Sequence, residues 1–210
     1  MEEVLATRDQ VIKAAIDLFS VKGFNGTSIR AIASGMGMSI SNIYHYFGNK
    51  EGLMLAILER SSKRLLDNLR QVSEKEMDPL DRFRLLIETH VRQSEEFRKE
   101  SKIFFIDEDH LSPEGNEINR QNQREILNIY LKGLHTLKEL GHLGSRNLTV
   151  SAFNILGVIN WQLQWYRPGG PLSMDDVSRE IVSFVMQGLL GSSTHTETFQ
   201  ASNARTSEEK

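Results

Sequence analysis

The side chains with the clearest chemical capacity lie between Thr27 and Lys50. Asn42 carries a carboxamide that donates and accepts at once, the pattern that pairs bidentately with adenine in the major groove. Ile40 offers a methyl surface for a thymine methyl, and Ser41 sits between the two. Ser39 is placed to cap the short helix they open, so all three fall on its first turn, the part of a reading helix that meets base edges. Tyr44, His45 and Tyr46 follow, the two phenols as phosphate contacts and His45 either beside them or simply solvated. Thr27 and Ser28 stand at the start of the preceding helix, where hydroxyls and free backbone N–H groups can hold a phosphate. Lys50 is a further phosphate anchor, whereas Phe47 is expected in the core.

These residues need two short helices to hold them. Residues 28–35 and 39–47 read as those helices, with Gly35 and Gly37 bracketing a tight turn, which is the pattern of a helix-turn-helix. A first helix, with Thr7 and Gln10 as a capping box and Gly23 as its stop, completes a three-helix head. Ala15, Leu18, Phe19, Ile32, Ala33, Ile43 and Phe47 supply its core. The rest of the chain is helical by its apolar spacing, without sustained alternation. Asn49 opens a helix to about Arg70, and Asp78-Pro79 opens another carrying Leu80, Phe83, Leu86, Ile87, Val91 and Phe97. Ser112-Pro113 starts a long helix ending at Gly141, and the last two helices span about 149–166 and 173–190 around the Arg167–Pro171 linker. The expectation is an all-α fold of about nine helices: a DNA-binding domain over 1–50, a larger body over 51–190, and a disordered tail over 191–210.

Bulk properties narrow the classes. The chain has 210 residues, no cysteine and a formal charge of -3. Disulfides, thiolate metal sites and a cysteine nucleophile are therefore excluded. Residues 1–50 hold five Lys and Arg against four Asp and Glu, and the remainder twenty against twenty-four. Residues 27–50 carry two basic side chains and no acidic one, so no carboxylate would repel phosphate there. No signal peptide or apolar run of membrane-spanning length is evident, which points to the cytoplasm. Asp107-Glu108-Asp109-His110 invites a metal, but no further ligand is identifiable by spacing, so no metal site, cofactor or catalytic residue is assigned. Phosphate-binding loops, nucleophile elbows and His-Glu-x-x-His are missing, so no enzyme is expected.

Ile12 through Leu53 resembles the TetR family of transcriptional regulators. The likeness is carried by Leu18-Phe19, Gly23-Phe24, Thr27-Ser28-Ile29, Ile32-Ala33, Gly37-Met38-Ser39, Ile43-Tyr44-His45-Tyr46-Phe47 and Asn49-Lys50-Glu51-Gly52-Leu53. It implies an all-helical homodimer, a palindromic operator read by two heads about 34–36 Å apart, and repression relieved by ligand. Leu111-Ser112-Pro113-Glu114, Gly157, Asn160-Trp161 and Trp165 through Ser173 resemble the branch that senses acyl-CoA thioesters. Members of that branch control fatty-acid, branched-chain or sterol-ring degradation. Several carry a basic residue where this chain has Gln164, which removes the basis for a CoA-phosphate contact there.

The expected ligand-binding set is Phe104, Arg120, Arg124, Tyr130, Asn160, Trp161, Trp165 and Arg167. Trp161 and Trp165 share a helix face and either line a tunnel or pack in the core or a dimer interface. Arg120 and Arg124 either approach the pocket or form a solvated face. The dimer face is expected on the last two helices, through Ile155, Ile159, Ile181, Phe184, Val185 and Leu189. Two alternatives stay open: a helical CoA-handling protein with a vestigial head, and an activator with the same DNA-binding head.

Overall fold

The computed structural model describes residues 2–100 and 111–191. Eight helices carry these residues: α1 (Glu2–Lys22), α2 (Ile29–Gly35), α3 (Ile40–Phe47), α4 (Lys50–Ser73), α5 (Pro79–Glu96), α6 (Pro113–Glu139), α7 (Leu148–Trp165) and α8 (Met174–Leu190). Residues 98–100 are helical as well, and no strand occurs among the described residues. Phe104, the Asp107–His110 run and residues 192–210 of the tail lie outside them.

Caps set most helix starts. Ser28, Ser39, Asn49, Ser112, Asn147 and Ser173 each accept a backbone N–H from the first turn of the helix they precede, which removes one of the four orphan donors. Ser173 and Asp176 form a reciprocal capping box. The box expected at Thr7 is not formed, because α1 begins upstream at Glu2. Glu, Leu and Ala ahead of Thr7 are good helix formers, so nothing there stops the helix from extending. Between α2 and α3, Gly37 has φ 64°, whereas Gly35 is an ordinary helical residue; the tight turn thus needs one glycine and not the expected pair.

Two apolar cores share α4. In the head, Ala15, Phe19, Ile32, Ala33, Ile43 and Phe47 are buried together and Leu18 packs half-buried against them. Leu53, Met54, Ala56 and Ile57 of α4 join the same cluster, so the head extends past residue 50. Leu69 and Val72, further along α4, belong to the second core with α5, α6, α7 and α8. A single continuous helix therefore spans both units.

The last two helices differ from expectation. Ile155, Ile159, Ile181, Val185 and Leu189 are at most 7% exposed and fill the second core. Their spacing is that of a buried helix face, and a single copy of the chain already buries it. Of the expected dimer face, only Phe184 is outside, at 66% exposed. Trp161 (67%), Trp165 (46%) and Val150 (56%) are also exposed. At Gly157 and Gly188 an added Cβ would meet nothing within 4 Å.

Candidate nucleic-acid interface and effector cavity

Helix α3 turns one face inward through Ile43 and Phe47, 0% and 8% exposed. With those two positions buried, the 3.6-residue period turns Ser41, Asn42, Tyr44 and His45 outward, and all four are exposed. Ser39 Oγ accepts the Asn42 N–H at 3.2 Å, which holds the first turn in register. Ile40 and Tyr46 lie half-buried at the border between core and surface. Tyr46 stacks edge-on with His45 and with Phe47. The polar surface of α3 is thus a contiguous, carboxylate-free patch on a short rigid helix.

Two expected phosphate anchors have other duties. Thr27 is 2% exposed, and its hydroxyl donates to the Gly23 carbonyl at 2.9 Å. That hydroxyl satisfies an orphan acceptor at the end of α1 and so is not presented to a phosphate. Lys50 Nζ donates to the carbonyls of Phe24 at 2.9 Å and Thr27 at 3.2 Å, and lies 4.2 Å from the centre of the Phe24 ring. Its ammonium clamps the loop between α1 and α2. Ser28 is exposed but serves as the α2 N-cap, accepting from Ala31 N at 3.1 Å.

The body contains a cavity of about 680 Å³ walled by α4, α5, α6 and α7, in the size range of small-molecule sites. Leu58, Leu65, Phe97, Leu127, Phe153 and Leu163 supply apolar wall. Arg120 and Arg124 line it from α6 with more than half of each side chain exposed, which places them at its mouth. Both pair with Glu117, at 3.0 and 3.3 Å, so two cations share one anion and these three side chains together carry a net positive charge. Asn160 also lines the cavity, as expected.

Other expected ligand residues lie elsewhere. Trp161 and Trp165 are exposed on α7 and are not among the residues that line the cavity. Arg167 is exposed and donates to the carbonyls of Gln164 at 3.0 Å and Tyr166 at 3.2 Å, closing the end of α7. Tyr130 is fully buried behind the wall, its hydroxyl 3.0 Å from His90 Nδ1. Burial pushes the His90 imidazole down from 6.5 to about 4 and the Tyr130 phenol up, so both are neutral near pH 7.

Sequence reasoning reads His90 only as a core or surface histidine and misses Gln93, Ser94 and Asn119; all four line the cavity and are at most 8% exposed. A signal existed: His90 and Ser94 continue the inward stripe of Leu86, Ile87 and Val91 on α5, and polar residues on such a stripe mark a wall that is not wholly core.

The helix that walls the cavity from Asn119 onward touches the head at its start, two turns earlier. Leu111, just before that helix, is buried in the head core, and Ser112 N donates to Glu51 Oε1 of α4 at 2.6 Å. Gly115 lies on the same contact, where an added Cβ would stand 3.0 Å from Leu55 and 3.3 Å from Glu51.

Comparison with known proteins adds independent weight. Residues 11–57 match a family described as bacterial regulatory proteins, tetR family, and residues 76–189 match a tetracyclin repressor-like C-terminal domain. The HTH-type transcriptional repressor KstR2 of Mycobacterium tuberculosis (strain H37Rv) is 22% identical over 193 residues, spanning 89% of this chain and 94% of that protein. A crystal structure of a TetR/AcrR family regulator from Thermobifida fusca superposes with a TM-score of 0.73 at 30% identity, covering 87% of this chain and 98% of the other. AibR, solved with isovaleryl coenzyme A and operator DNA, superposes with a TM-score of 0.75 at 21% identity, covering 87% and 97%.

Proposed function

The chain belongs to the TetR family of transcriptional regulators, and from that premise we propose that it binds a palindromic operator as a homodimer and lets go when an acyl-CoA thioester enters its cavity. The observation that carries this reading is the position of the cavity. Its α6 wall leads directly to Leu111 and Ser112, which are seated against the head. A ligand that displaces α6 moves that seat, and α4 carries the change into the angle of α3.

Several features favour a CoA thioester. The apolar wall suits an acyl chain, and the net positive rim at Arg120 and Arg124 suits phosphates. A member of the same fold, AibR, was solved with such a ligand and with DNA together. For the homodimer, the exposed Phe184, Trp161, Trp165 and Val150 on the last two helices form an apolar patch of the kind that a second copy covers. Open space over Gly188 of α8 allows a helix of a second copy to approach closely.

A thermal-shift screen with CoA thioesters of graded chain length tests the effector. A ligand at a hundredfold its Kd stabilises by ~2.7 kcal/mol, a rise of several degrees in Tm. A flat response across the series would overturn the acyl-CoA assignment.

A further inference from the structure

The α5 wall of the cavity carries a buried hydrogen-bond donor that the rest of the fold leaves without a partner. His90 and Gln93 line it and are 3% and 5% exposed. Asn68 Nδ2 donates to Gln93 Oε1 at 2.9 Å, which orients the carboxamide and leaves its Nε2 buried without a partner. Such a donor is costly to leave unmet. His90 engages Tyr130 through Nδ1. A phenol donates more readily than it accepts, so with Tyr130 as donor the single proton of the neutral imidazole sits on Nε2. His90 and Gln93 are three residues apart on α5, hence on one face. Both residues therefore stand on the same wall, and Gln93 Nε2 brings to it a donor without a partner.

Their natural complement is a neutral oxygen acceptor. A carboxylate against this wall would be a buried charge without a counter-charge, because the cations of the cavity, Arg120 and Arg124, stand at its exposed rim. A carbonyl oxygen has two lone pairs and satisfies both donors. We propose that His90 and Gln93 hold the thioester carbonyl oxygen of the effector, so that the cavity admits the CoA thioester and excludes the free acid of the same chain. This rests on the acyl-CoA reading of the cavity.

The test is calorimetric titration of the full chain with octanoyl-CoA, S-octyl-CoA (which lacks the carbonyl) and octanoate, repeated with the chain length that ranks first in the thermal screen. Octanoyl-CoA should bind about tenfold more tightly than S-octyl-CoA, the size of one or two hydrogen bonds to a buried acceptor, and octanoate should not bind. In Gln93→Leu the preference for octanoyl-CoA over S-octyl-CoA should disappear. A cooperative melting curve for the variant shows that it is folded. Equal wild-type affinities for the two CoA compounds would overturn the carbonyl contact and leave the acyl-CoA reading standing. Octanoate binding as tightly as octanoyl-CoA would overturn both, as would no binding of any CoA compound at the best chain length.

Discussion

Asn42 and Tyr44 are exposed neighbours on α3, yet they should respond differently to substitution. Asn42 carries the one carboxamide on that face and can pair bidentately with the major-groove edge of an adenine, so Asn42→Ala should cost ~1–3 kcal/mol and relax preference at one base position. With Tyr44 assigned to a phosphate, Tyr44→Phe removes that single hydroxyl and should weaken all sequences alike, leaving specificity intact. Anisotropy titrations against an operator and its single-base variants separate the two, and a Tyr44→Phe protein that bound like wild type would remove the phosphate role. The reading face was legible in the sequence because Ile43 and Phe47 are unmistakable core positions and fix the phase of α3. The anchors were not. Whether a threonine or lysine meets a phosphate or a carbonyl depends on what the chain brings back to it, and here Gly23, Phe24 and Thr27 supply the carbonyls.

At the scale of elements, the contact between α5 and α6 contains the most pH-sensitive group of the body. His90 is buried neutral against Tyr130, and its imidazole titrates near 4 when folded and near 6.5 when unfolded. The unfolded chain therefore binds the proton first as pH falls, so stability is full above about 6.5 and declines down to about 4, by roughly 3 kcal/mol in all. Melting curves across that window should show a steeper loss in the wild type than in His90→Gln. Parallel slopes would mean that His90 is not buried in its neutral form. Helix boundaries in this region were readable from Asp78-Pro79 and Ser112-Pro113, since proline and caps act locally. The cavity was not readable, because a polar residue on an inward stripe is equally compatible with a satisfied core network until the opposing helices are placed.

For the whole molecule, the division of labour between core and interface was the least legible feature. Ile155, Ile159, Ile181, Val185 and Leu189 have the spacing of an apolar face, and periodicity alone cannot say whether one copy or two will bury it. The fold assigns them to the monomer core and leaves Phe184 and the tryptophans outside. Phe184→Glu should therefore leave the melting of the isolated fold intact while weakening self-association by at least about 2 kcal/mol. Light scattering would show the shift from dimer to monomer, and an unchanged dimer would exclude this face.

The exposed α3 face, the seat of Leu111 and Ser112 on the head, and the cavity behind it form the proposed relay. Its most direct test is the binding of the full chain to DNA from its own promoter region, with and without the acyl-CoA that stabilises it most. We expect a complex that the thioester dissolves and that Asn42→Ala weakens even without ligand. A complex that persists unchanged at saturating thioester would contradict the coupling at the centre of this account.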